Sequence, residues 1–261
     1  MFTTNPFAGL SAFISPSVMQ TYIVVMIILV AGGTIYDVLH KKSARYFREN
    51  MRKAKASATH EVGAGEMLSL AVKTAVVDVA TSGEFCNPRR RIAHLLTMYG
   101  FVIFAVTTAI MVFRYTTPDV STPAILPLLW WLGAAMVCVG GYWFWFFIRA
   151  DVSAEGNSPF RIIRADLFIL SLLGSATSAL IWAFLQARGH AWATPVFWLH
   201  VLATTLLFGS VPWSKFAHMF FKPAAAFEKR VSAANGSRSN LPAPADKPET
   251  FGSPVEQPRH Y

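Results

Sequence analysis

Five long apolar stretches interrupt this chain, and each runs without a charged residue for most of its length. Backbone polar groups have no water to bond inside a bilayer, so only helices and closed barrels cross it. The runs are continuous rather than alternating, which selects helices. They predict spans at 18–39, 92–113, 124–148, 165–186 and 195–221. Each is long enough for about 30 Å of hydrocarbon with some tilt. Trp130, Trp131, Tyr142, Trp143 and Trp145 bracket the third run as interfacial aromatic belts do. The expected fold is an all-α integral membrane protein, a bundle of five transmembrane helices.

Charge sets the expected orientation. The segment 40–91 holds eleven Lys or Arg, from Lys41 to Arg91. The turn before 165 adds Arg149, Arg161 and Arg164, and the segment after 221 adds six more. The opposite side holds only Arg114 and Arg188. The positive-inside rule then puts 1–17 outside and both 40–91 and 222–261 in the cytoplasm. In a soluble protein the net charge of +9 would raise nucleic acid as a partner. Here it reports topology, and no nucleic-acid partner is expected. The first run follows no basic segment and ends in no A-x-A-type signal, so it is expected to be a retained helix.

Within 40–91, KKSARYFRENMRKAK predicts a basic helix continuing from the first span. Residues 66–82 predict an amphipathic helix with Leu68, Val72, Ala75, Val76 and Val79 along one side. It fits either a helix on the anionic inner leaflet or a docking surface for a cytoplasmic subunit. The segment 222–261 is rich in Pro, Ser and charge and is expected to be largely disordered.

Chemistry rests on three histidines. His200 and His218 stand eighteen residues apart in the fifth run, about five helical turns or about 27 Å. A continuous helix would carry them on one face, toward opposite membrane surfaces. His94 lies three residues after Arg89–Arg90–Arg91, at the cytoplasmic end of the second run. Ionisable groups in spans are functional candidates, and imidazoles from facing helices can ligate haem iron. His94 and His218 share a depth, so they form an allowed bis-histidine pair, whereas His94 and His200 do not. The plainer reading is a pair of interfacial histidines satisfied by water or phosphate. Arg89, Arg90, Arg91, Arg161 and Arg164 suit haem propionates, and serve equally as plain topology signals. His200 has no partner imidazole at its depth, because Phe104 stands where the second run would have to supply one. It fits a second haem, a quinone contact or a simple hydrogen bond.

Little else is encoded. Cys86 and Cys138 are too few for a disulfide framework or a thiolate metal site. No phosphate loop, zinc-binding H-E-x-x-H or nucleophile elbow occurs. Gly133, Gly140, Gly141 and Gly174 suggest close helix packing. Pro212 suggests a kink in the fifth span, and Asp166 a capping carboxylate for the fourth.

WLHVLATTLLFGSVPWSKFAHMFFKP at 198–223 resembles the last helix of the cytochrome b membrane subunits of the nitrate reductase gamma and heterodisulfide-reductase type. The resemblance lies in the histidine spacing and the P-x-S-[KR]-x-x-H ending. SPFRIIRADLFILSLL at 158–173 is similar to that family's entry to its fourth helix, and RRRIAHLLTMYGF at 89–101 to its first histidine. The basic segment before the second span and the single early histidine look most like the membrane proteins associated with dissimilatory adenylylsulfate (APS) reductase. The resemblance implies five spans in a bacterial inner membrane. It implies b haems that carry electrons between quinone and a cytoplasmic iron–sulfur or flavin oxidoreductase of sulfur metabolism. His94 and His218 match the ligands of the cytoplasm-side haem. His200 matches one ligand of an outer haem whose other ligand is replaced by Phe104.

The expected function is thus a membrane anchor and electron-transfer subunit that does no bond chemistry on the final substrate. The alternative is a haem-free docking protein for a soluble redox enzyme, its basic face steering an acidic partner. A small transporter is disfavoured by the few ionisable residues in the spans and by the lack of paired breaks.

Overall fold

A computed structural model describes residues 2–40, 43–83, 85, 87–149, 156, 158, 160–163, 166–214 and 218–237. Its regular elements are helical, with no strand among the described residues. A short 3-10 turn at Ala8–Ala12 precedes α1 (Pro16–His40), α2 (Ser43–Ala56) and α3 (Ala64–Lys73). The chain widens into π-turns at Thr74–Ala80. Then come α4 (Pro88–Arg114), α5 (Ile125–Trp143) with π-turns at Phe144–Ile148, α6 (Leu167–Ala187), α7 (Ala193–Gly209) and α8 (His218–Ala234). Among the described residues, four helices are long and apolar enough to cross a membrane: Pro16–His40, Pro88–Arg114, Ile125–Ile148 and Leu167–Ala187.

The fifth run differs from its expectation of one helix over 195–221. α7 stops at Gly209, and Ser210 to Ser214 turn. The amides of Trp213 and Ser214 both donate to the Ser210 carbonyl, at 2.9 and 2.8 Å. The cause is local. Gly209 is a poor helix residue, and Pro212 has no N–H and disfavours helical backbone at Val211 before it. Pro212 therefore ends the helix rather than kinking it. His200 and His218 sit on different helices, and the five-turn arithmetic between them does not apply.

The chain separates into two compact units, residues 1–37 with 92–217 and residues 38–91 with 218–261. The first holds the membrane-type packing. A Cβ on Gly100 would lie 2.7 Å from the Gly133 carbonyl oxygen, and one on Gly140 would lie 2.6 Å from that of Ala93. α4 and α5 thus touch backbone to backbone, the small-residue contact that membrane helices use in place of a hydrophobic drive. Gly141 admits Leu173 of α6 in the same way. Gly33 of α1 lies against Val211 and Pro212.

The N-terminal segment joins this unit. Phe7 and Leu10 are buried, with Phe7 edge-on to Trp130 and Trp182 at 5.8 and 5.3 Å. The Asn5 side-chain amide donates to the Tyr115 carbonyl at 2.8 Å, and Gln186 donates to that of Pro6 at 2.7 Å. These bonds satisfy carbonyls at helix ends and in the loop, which would otherwise be orphaned.

The second unit is built differently. α3 and its π-turns pack on α8, and α2 also touches α8. Arg230 of α8 grips Asp78 with two bonds, Nε to Oδ2 at 2.6 Å and a second terminal nitrogen to Oδ1 at 2.9 Å. The Thr59 amide donates to the Asn235 carbonyl at 2.9 Å. The first part of the segment after the fifth run, through Ala234, is thus helical. Its anchor is an acid 152 positions away, so its own composition does not reveal it. Residues 238–261 lie outside the described residues.

Candidate functional site

His200 is on α7, 7% exposed. Its Nδ1 lies 3.0 Å from the Ser175 carbonyl oxygen of α6, where an N–H donates and fixes the tautomer. Ser178 Oγ donates to the Ser175 carbonyl as well, and to that of Gly174. One turn along α7, Thr204 meets Ser175 through their hydroxyls at 2.7 Å. Trp182 stacks on the imidazole at 6.0 Å between centroids and 11° between planes. Phe104 approaches edge-on at 6.4 Å. Trp130, Trp182, Phe197 and Phe104 belong to one buried cluster, and two of them, Trp182 and Phe104, touch the imidazole. The Trp130 indole N–H donates to Thr108 Oγ1 at 2.9 Å.

Trp182 and Phe104 thus lie against the His200 ring. The Nδ1–H bond to Ser175 ties α7 to α6 and leaves Nε2 as the nitrogen that could take a metal. Phe104, where a second axial ligand would be needed, offers no donor atom.

His94 is in the first unit, in the second turn of α4, and half-buried. Phe101 lies seven residues on, on the same face of the helix. Its ring sits 6.3 Å from that of Phe208, near the C-terminal end of α7. The His94 face of α4 is therefore turned to α7, while Ala93 and Gly100 face α5 and the Phe104 ring lies between Trp130 of α5 and His200 of α7. His218 opens α8 in the second unit, and its side chain lies outside the described residues.

The arginines fall into distinct roles. Arg89 and Arg90 lie in the first turn of α4, Arg89 exposed and Arg90 half-buried. Their amides meet the Asn87 carboxamide oxygen at 2.9 and 3.4 Å, an N-cap that starts the helix. Arg91 Nε donates to the Thr81 carbonyl at 2.7 Å. Arg161 is exposed, and its carbonyl accepts a bond from Arg149. Arg164 lies outside the described residues.

Sequence reasoning missed the strongest polar feature of the first unit. Arg149 and Asp166 form a buried ion pair at 2.9 Å, with side chains 6% and 8% exposed. Asp166 precedes α6 but makes no capping bond to it. Its carboxylate instead accepts from Arg149 and from the Ile163 amide at 3.0 Å. The Arg149 guanidinium also covers the Trp145 ring at 4.0 Å. Among the described residues, no group of three or more His, Cys, Asp or Glu side chains is placed to hold a metal ion.

No family model matches this chain, and no solved structure matches it. The chain is 25% identical over 173 residues to citrate utilization protein B of Escherichia coli. That alignment covers 61% of this chain and 44% of the relative, so the chain spans less than half of that protein's length.

Proposed function

We propose that this chain is the membrane subunit of an electron-transfer complex, holding one b-type haem between His94 and His218 near the cytoplasmic side. The carrying observation is the direction of the His94 face. Phe101, on that face, meets Phe208, ten residues before His218. The half-buried His94 is thus on the side of α4 turned to α7, the helix that precedes His218 in the sequence. Each imidazole would offer one nitrogen to the iron, and the group would supply a one-electron relay. Arg89, Arg90, Arg91, Arg161 and Arg164 are the candidate counter-charges for its propionates.

His200 takes another part in this reading. Its Nδ1–H is taken up by Ser175 and Trp182 stacks on its ring, so it ties α7 to α6. Phe104 offers no second axial ligand at this depth, so this reading carries one haem rather than two. The fifth crossing is α7, whose seventeen residues are at the short end for a span. With the basic segments on the inner side, the N-terminus lies outside in a bacterial inner membrane. Quinone would exchange electrons with this subunit, and a cytoplasmic iron–sulfur or flavin oxidoreductase would dock on the basic second unit. The sequence resemblance favours an APS reductase of sulfur metabolism as that partner. A relative named for citrate utilization raises that process as the competing setting.

The test is optical. Reduced, purified protein should show the paired α and β bands of a b cytochrome. His94→Ala and His218→Ala should each abolish them, and His200→Phe should leave them intact. A wild-type membrane fraction without those bands removes the haem. Partner recruitment that survives loss of all three histidines but weakens with salt would then leave the docking role, which the basic surplus of the second unit supports.

A further inference from the structure

The helix formed by α3 and its π-turns is turned the opposite way from a soluble amphipathic helix. Leu68, Val72 and Val76, at four-residue spacing, are 67%, 55% and 54% exposed. Ala75 beside them is exposed too. The polar side packs inward: Thr74 is buried, and Asp78 is held by Arg230 of α8. The unit places its bidentate ion pair on the inner face and leaves its aliphatic stripe bare. Contiguous apolar exposure of this kind marks a contact surface.

We propose that this stripe is a membrane-contact face, lying in the headgroup–acyl boundary of an anionic leaflet. Three observations choose lipid over a protein occupant. First, the segment is tethered there. α1 ends at His40 and α4 begins at Pro88, and both are helices fit to cross a bilayer. The intervening loop therefore starts and ends at one membrane surface, which makes contact effectively intramolecular. Second, the charge matches. Between residues 38 and 91 the sequence has eleven Lys or Arg against five Asp or Glu, and α8 adds Lys222, Lys229 and Arg230 against Glu228. Polybasic segments next to spans are drawn to anionic lipid. Third, the stripe is purely aliphatic. Protein hot spots favour Trp, Tyr and Arg, and none interrupts Leu68, Val72, Ala75 and Val76. Lys73, exposed beside Val72, can lay its stem along the stripe and keep its ammonium at the phosphates. This inference needs the membrane spans but not the haem, so it stands or falls apart from the cytochrome reading.

Spin-label accessibility on the full chain tests it. Cys86→Ser and Cys138→Ser give a background for single nitroxides at Leu68→Cys, Val72→Cys, Val76→Cys, Glu66→Cys and Lys73→Cys. All five sites are exposed, so labelling should leave the fold intact. The protein is reconstituted into nanodiscs of phosphatidylglycerol and phosphatidylcholine in equal parts. Collision with oxygen relative to a water-soluble nickel chelate should be severalfold higher at 68, 72 and 76 than at 66 and 73. The contrast should shrink in pure phosphatidylcholine. Water-like values at all five sites overturn the proposal. Exclusion of both reagents at 68, 72 and 76 also overturns it, because that pattern means a second copy or another protein covers the stripe.

Discussion

Each unit of this molecule is fastened by an arginine–aspartate pair, and the two pairs differ in almost everything but residue type. Arg149 and Asp166 close the connection between α5 and α6 with both side chains under a tenth exposed. The partners they use are protein: the Arg161 carbonyl, the Ile163 amide, the Trp145 face. Arg230 and Asp78 join α8 to the π-turns with side chains 23% and 15% exposed, partly open to solvent. A pair removed from water is costly to assemble and far costlier to break halfway, because the survivor remains buried and charged. A pair near water loses little when one member goes. The membrane-type unit thus relies on contacts that tolerate no partial loss, and the second unit on contacts that do.

The sharpest way to break that contrast is Arg149→Met, which keeps the stem and removes the charge. It should cost about 3–5 kcal/mol, the usual consequence of stranding a buried carboxylate. Thermal unfolding in detergent should show a larger Tm loss for this variant than for any glycine or Arg230 substitution. Arg149→Met with Asp166→Leu should recover most of it, since two apolar groups strand nothing. If the single variant behaves like Arg230→Met, the division between dry and wet units fails.

Glycine substitutions extend the contrast with opposite signs. Gly140→Ala puts a methyl 2.6 Å from the Ala93 carbonyl oxygen, where only backbone can yield. Overpacking of this kind should cost about 1–3 kcal/mol. Gly65, in α3 of the second unit, has nothing within 4 Å of the place a methyl would take. Gly65→Ala should stabilise by up to about 1 kcal/mol through helix propensity alone. Paired melting curves decide both, and a shared sign would refute the account.

The sequence is informative where a signal is local and opaque where it is paired over distance. Four apolar runs suffice to locate four membrane-type helices, because length and hydropathy are carried by each run alone. The glycines of α5 likewise announce close packing, since small residues permit it wherever they occur. The stop signals in the fifth run are visible too, as Gly209 and Pro212, but regular histidine spacing argues for a continuous helix. What stays hidden needs two distant segments at once. Arg149 carries a topology signal and Asp166 looks like a cap until the hairpin between α5 and α6 brings them together. Phe7 and Asn5 belong to a polar-looking terminus whose partners, Trp130, Trp182 and Tyr115, lie more than a hundred residues away. The site splits the same way. His200 is conspicuous as an ionisable group in a span, yet its role is set by Ser175 and Trp182, which no spacing rule selects. The amphipathic pattern at 66–82 is evident, but only the Asp78–Arg230 pair shows which side faces inward.

The smallest expected effect is Arg230→Met, and it tests the wet half of the comparison. The Asp78 carboxylate holds the Arg230 guanidinium above its ordinary pKa. A raised folded-state value means this contribution is full below the unfolded pKa and is lost only as pH rises through the folded one. That window lies beyond the alkaline limit of ordinary handling, so raising pH across the neutral range should not unlock the pair from the arginine side. Salt should. With a Debye length of about 3 Å at 1 M, partly exposed charges are screened while buried ones are not. Arg230→Met should therefore lower Tm by less than Arg149→Met, and high salt should erase most of the difference from wild type. The Arg149→Met deficit should persist in the same buffer, because no mobile ion reaches Asp166.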